Sequence, residues 1–149
     1  MVNDPVNNFD LNGLQYIDLV NRINFEIAYR YVRADQIAQE VLRETQAKAQ
    51  NLPGGVNGLH NGPADAWRHA RWNQRMMNEI DWPTAFFAGW GHELEGLFNG
   101  QPLEEMFMDL HNNAMGRSGD CPDKLLKENK LRILQQPFRN KGEKWWYPW

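Results

Sequence analysis

Between Leu14 and Gln50 the chain contains neither glycine nor proline. No other feature limits the fold as much. Strands in globular proteins run to about 5–6 residues and need turn residues between them, so a stretch this long without a breaker has nowhere to turn. Within it Ile17, Val20, Ile27, Tyr31, Ala38, Val41 and Thr45 recur at multiples of three to four, the period of a helix with one apolar face. The expectation is one long helix, or two bent near Arg33–Asp35, with Asn12 as the N-cap.

Downstream, breakers mark off shorter helices. Asn51–Pro63, which is rich in glycine, reads as a loop, irregular over Gly54–Gly62. Pro63 suits a first helical position, so Ala64–Ile80 reads as a helix, and Asp81-Trp82-Pro83 ends it and starts Thr84–Phe98. Asn99-Gly100 closes that helix, Pro102 opens another to Met115, Gly116–Pro122 breaks it, and Pro122 opens a last helix to Gln135. Nothing reads as a strand pair or a repeat. The predicted fold is an all-α, single-domain bundle of five or six helices with a Gly-rich loop and an aromatic C-terminal tail. Its parts are an N-terminal helical segment (12–50), the loop (51–63), the motif-bearing helices (64–117) and a C-terminal helix with its tail (122–149).

Composition excludes several classes. The length of 149 residues suits one domain, and 42% hydrophobic with 23% charged residues is ordinary globular usage. No apolar run reaches the roughly 18–20 residues of a membrane-spanning helix. The single cysteine, Cys121, allows neither an intrachain disulfide nor a thiolate zinc module. A net charge of −3 disfavours a dedicated nucleic-acid binder. The opening MVNDPVNNFD lacks the basic and apolar regions of a signal peptide, so export, where it occurs, is expected to use another machine or a segment missing from this sequence. Seven tryptophans are unusual, and Trp145, Trp146 and Trp149 crowd the tail, where sugar stacking, an interfacial role and core filling all remain open.

All four histidines lie between positions 60 and 111, among three motifs. In the first, Asp65 and His69 stand one helical turn apart, with Trp72 and Met76 continuing the stripe and Arg68 beside it. A carboxylate and an imidazole at this spacing can share a metal, or the carboxylate can orient the ring; a plain hydrogen bond at a helix start accounts for them equally. In the second, His92 and Glu93 point about 100° apart and can border one cleft. Glu93 has Phe86, Gly89, Trp90 and Leu97 as helical neighbours, company that raises a carboxyl pKa toward general acid–base work. The third, Met108 to Arg117, places Asp109, Asn113 and Arg117 on one stripe and sets His111 among residues that disfavour helix interiors. Local rules are broken most often at functional sites.

The string D-A-x-R-H-x-x-W, then H-E, then M-D-x-x-N-N-x-x-G-R resembles a small helical domain of bacterial polymorphic-toxin and type VI-type secretion effectors. The matching residues are Asp65, Ala66, Arg68, His69 and Trp72; His92 and Glu93; and Met108, Asp109, Asn112, Asn113, Gly116 and Arg117. The resemblance covers the middle third of the chain. It implies an antibacterial enzyme-like domain, secreted or injected, with a cognate immunity protein and a secretion-apparatus or carrier partner.

The leading expectation is therefore a toxin-effector hydrolase acting on a cell-envelope component, peptidoglycan or lipid-linked. Its metal ligands would be His69, His92 and Asp109, holding a divalent ion, zinc foremost with manganese or iron as alternatives. Glu93 would be the general base or acid, with Asp65 and Arg68 completing the catalytic set. Trp72, His111, Asn113 and Arg117 would bind substrate, and His60 would edge the cleft. Two alternatives stand beside it. One is a metal-free, lysozyme-like glycosidase using Glu93 with Asp65 or Asp109. The other is a non-catalytic binding or immunity-type module whose polar cluster fixes helix register.

Overall fold

The computed structural model describes the backbone of residues 5–139 and the side chains of residues 17–139. Trp145, Trp146, Trp149 and the rest of the expected tail lie outside the described residues. Among the described residues five helices follow in order: α1 (Pro5–Ala49), α2 (Pro63–Glu79), α3 (Trp82–Phe98), α4 (Leu103–Arg117) and α5 (Pro122–Lys127). There is no strand among the described residues. No helix is long and apolar enough to cross a membrane among the residues described.

The long helix is unbroken, so neither the bend at Arg33–Asp35 nor the Asn12 N-cap holds. One interior glycine costs a helix only about 1 kcal/mol. Gly13 therefore does not stop it, and the start moves back to Pro5, a residue suited to the first turn. The Gly-rich loop is not wholly irregular, since Gly55–Leu59 forms a 3₁₀ turn. The largest correction falls on the last helix, expected to reach Gln135 and ending instead at Lys127. Asn129 takes a left-handed φ of 54°. The Asn129 and Lys130 N–H groups then donate back to the Leu126 and Leu125 carbonyls, the paired bonds of a Schellman stop.

α2 is the central helix. One face buries Trp67 and Met76 against Ala34, Ile37 and Val41 of α1 and Ala85 of α3. The other sets Ala66 and Ala70 against Leu125, Leu131 and Ile133. Small residues let α4 approach closely: a Cβ on Gly116 would lie 2.1 Å from the Ala70 carbonyl oxygen. The segment after α5 is tied to α4 by Asn112, whose amide donates to the Arg132 carbonyl (3.0 Å) and accepts from the Arg132 N–H (2.8 Å). Polar residues bind the α1–α2 seam, where Arg75 pairs with Glu40, Glu44 and Glu79. The first half of α1 runs past this core; Ile17, Ile23 and Phe25 are exposed.

Candidate functional site

His69 is the centre of the site, almost fully buried on the α2 face toward α3 and α4. Its two ring nitrogens see different surroundings. Nδ1 lies 3.2 Å from Asn113 Oδ1 and 3.7 Å from Glu93 Oε1. Asn113 Oδ1 also accepts from Asn73 Nδ2 (2.7 Å), while Asn113 Nδ2 donates to Glu93 Oε1 (3.4 Å). That amide orientation makes Oδ1 an acceptor, so Nδ1 carries the proton and Nε2 is the bare nitrogen.

Nε2 faces carboxylate oxygens, Asp109 Oδ1 at 3.3 Å and Asp65 Oδ1 at 3.6 Å. Asp65 sits in the first turn of α2, where the helix dipole favours its charge, and its other oxygen accepts the Asn61 N–H at 2.7 Å. Asp109 Oδ2 accepts from Gln101 Nε2 (3.0 Å), but Asp109 Oδ1 is buried without a hydrogen-bond partner. The Arg68 guanidinium reaches the same atoms, 2.5 Å from Asp65 Oδ1 and 3.3 Å from His69 Nε2. Arg117, in turn, donates to Asn73 Oδ1 (2.7 Å) and lies over the Phe86 ring.

Burial sets the protonation of this cluster. Desolvation, with the nearby Glu93 and Asp65 charges, raises the Asp109 pKa far above the carboxylate range. Desolvation likewise raises Glu93, as its helical neighbours led one to expect. The His69 pKa falls to about 4, mainly through burial, so the ring is neutral at pH 7. The Arg117 pKa falls to about 10, again through burial.

Beside the cluster opens a cleft of about 580 Å³ between α1 and α3, with Arg68, His69 and Trp72 of α2 lining it. Ala34, Ala38 and Leu42 line the α1 side, and Phe87, Ala88 and His92 the α3 side. The Trp72 ring stands edge-on to His92 at 5.6 Å.

Several expectations need correction. The three side chains whose ligand atoms lie within 4.8 Å of one another are Asp65, His69 and Asp109, so Asp65 stands where His92 was expected. The His92 ring centre is 6.3 Å from that of His69, and the residue borders the cleft. Glu93 does not line the cleft but sits on the Nδ1 side of His69, because successive helical residues diverge by about 100°. His111 turns away from the cluster for the same reason, two residues beyond Asp109, and its Nε2 meets the Lys130 carbonyl at 2.8 Å. Asn113 and Arg117 hold other side chains in the cluster rather than lining the cleft. His60 is not among the cleft residues and approaches Glu105 instead. Trp72 and Arg68 do line the cleft. Sequence reading misses Asn73 and Gln101. Asn73 continues the Asp65–His69 stripe by one more turn, and that spacing is the signal that finds it; Gln101 carries no comparable signal.

The fold and site together define a class, an all-helical domain that buries a histidine among three carboxyl groups beside an apolar cleft. Over residues 25–141 the chain matches the family described as domain of unknown function (DUF6973), and it belongs to that family. Comparison with solved structures finds no match.

Proposed function

We propose that this domain is a metal-dependent hydrolase of the bacterial toxin-effector kind, acting on a cell-envelope component. The observation that carries the reading is Asp109 Oδ1, buried and unpartnered, facing the bare Nε2 of His69 with Asp65 Oδ1 alongside. Acceptors turned toward one another need a proton or a cation between them; the raised pKa of Asp109 supplies the proton when no ion is bound, and a bound ion would take its place. One imidazole nitrogen and two carboxylate oxygens suit zinc, with manganese or iron next. An ion bound there would supply Lewis acidity and activate water for hydrolysis.

The chain's own residues do the positioning. Asn113 and Glu93 hold the His69 ring with Nε2 turned toward the two aspartates, the outer support that fixes a ligating histidine. Gln101 orients Asp109, and the Asn61 N–H orients Asp65. Arg68 and His92 present polar groups to whatever enters the cleft. The resemblance to toxin effectors supports the biological setting, and with it a cognate immunity protein and a carrier.

A second reading is favoured by Arg68, whose guanidinium already neutralises Asp65; on it the cluster is a structural polar network in a binding module. The glycosidase reading loses support because Glu93 is 1% exposed and does not line the cleft. The discriminating experiment is elemental analysis of purified protein beside His69→Ala, with release of soluble fragments from envelope fractions as the activity readout. Stoichiometric metal and fragment release, both lost in the variant, are expected. Native protein that takes up no zinc, manganese or iron and releases nothing would overturn the hydrolase in favour of the binding module.

A further inference from the structure

The cleft has a definite chemical character apart from the polar cluster. Ala34, Ala38 and Leu42 line one side and Phe87, Ala88 and Gly91 the other, so an occupant meets mainly hydrocarbon. Polar side chains come from all three walls, Asp35 and Gln39 on α1, Arg68 and His69 on α2, and His92 and Glu95 on α3. Apolar side chains nonetheless supply most of the lining surface, which suits the chain of an amphiphile better than a glycan, whose hydroxyls need hydrogen-bonding groups along its whole length. The surroundings are apolar as well. Tyr31 is 59% and Phe87 64% exposed at the cleft, and Leu94 and Phe98 continue the Phe87 face of α3 two and three turns further on, Phe98 at 87%. Exposed apolar residues aligned on one helix face mark an interaction site.

We infer that the cleft binds an acyl-chain amphiphile, its chain between α1 and α3 and its polar end toward Arg68, His69 and His92. This rests on the proposed hydrolase for its catalytic consequence, a lipid-linked rather than glycan substrate, but not for the binding itself. The charges fit a zwitterionic head. Arg68, which pairs with Asp65, can turn to an anionic group in the cleft it lines, and Asp35 and Glu95, which also line the cleft, can meet an ammonium.

Gly91 supplies the decisive variant. It is helical, and a Cβ built on it meets nothing within 4 Å, so a large side chain there enters open space. Replacing a helical glycine also raises helix propensity, so Gly91→Trp is expected to fold. The probes are octyl-, decyl- and dodecylphosphocholine below their micelle concentrations, titrated calorimetrically into the native domain and into Gly91→Trp. Burial of methylenes predicts binding that tightens roughly tenfold for every two carbons, and Gly91→Trp is expected to weaken the dodecyl compound at least tenfold. Flotation with phosphatidylethanolamine–phosphatidylglycerol vesicles, lost in Phe98→Ser, assigns a bilayer as the source of the amphiphile. Chain-dependent binding without flotation assigns a free one. Affinity independent of chain length, binding unchanged in Gly91→Trp, or displacement of the probe by a muropeptide overturns the inference. Zinc titration of the same samples separates the two ideas. Zinc uptake without amphiphile binding removes the lipid inference alone, and amphiphile binding without zinc uptake or hydrolysis removes the hydrolase alone.

Discussion

Asn113 and Asp109 perform opposite electrostatic tasks on one helical stripe. Asn113 fixes the His69 tautomer by accepting from Nδ1, and its loss leaves buried donors unpaired. Asn113→Ala is expected to cost about 1–3 kcal/mol of stability and to weaken zinc binding about 10–100-fold, read by denaturation and calorimetry. Asp109 stores a titration. Because its folded pKa is raised, the folded chain keeps a proton that the unfolded chain releases near pH 4, and stability falls as pH climbs above that point. His69 works the other way: its pKa drops from 6.5 to about 4, so stability rises between those values. Above pH 6.5 the carboxyl contribution stands alone. Urea denaturation in a metal chelator is expected to show stability falling from pH 6.5 upward, by about 1.4 kcal/mol per pH unit for each proton involved. Asp109→Asn is expected to flatten that slope; an unchanged slope removes Asp109 as its source. Asp65 and His69 are legible from their one-turn spacing, Glu93 from its apolar helical neighbours, and Asp109 from the run of helix-disfavouring residues that it opens. Their division of labour is not, because which side of an imidazole a carboxylate occupies depends on how three helices are rotated against one another.

Helix packing is what holds those rotations. Gly116 brings the α4 backbone against the Ala70 carbonyl, and no side chain fits between them. Gly116→Ala must push the two helices apart, and an overpacked contact of this kind costs about 1–3 kcal/mol; thermal denaturation measures it, with weakened zinc binding alongside. Gly89→Ala makes a sharper probe. Its added Cβ would lie 3.2 Å from Asn73 Oδ1 and 3.3 Å from Asn113 Nδ2, so it presses on the polar cluster rather than on backbone. Zinc affinity is expected to fall more than stability does. Helix identity and most starts could be read from Pro63, Pro83 and Pro122, because proline constrains its own backbone. The end of α5 could not. A left-handed Asn129 is permitted but not dictated by its sequence, and the docking of Leu131 and Ile133 on α2 rewards the turn there.

Across the whole molecule, apolar patterning on α1 does not distinguish core from surface. Ile23 and Ile37 look alike in sequence, yet Ile23 is 49% exposed and Ile37 fully buried. The difference is that α2 packs beside only the later part of α1. Ile37→Ala is expected to cost about 2–5 kcal/mol and Ile23→Ala no more than about 0.5 kcal/mol, compared by chemical denaturation. Equal costs would mean that something covers the early turns of α1 in solution.

Arg68 gives the site a further property. Its guanidinium is a cation on a tether, resting on Asp65 Oδ1 and His69 Nε2, the atoms a divalent ion needs. On the proposed reading the two cations would compete, and an ion that binds would send the guanidinium toward the cleft that Arg68 also lines. Loading the metal and charging the cleft would then be one event. By reciprocity, an anionic head group that holds Arg68 outward must tighten the metal by the same factor that the metal tightens the head group. Arg68→Met is expected to strengthen zinc binding in the absence of any amphiphile and to abolish that mutual dependence, both read by calorimetry. If the domain is the metal-dependent hydrolase proposed above, it would take up its metal most firmly when its substrate is already at hand.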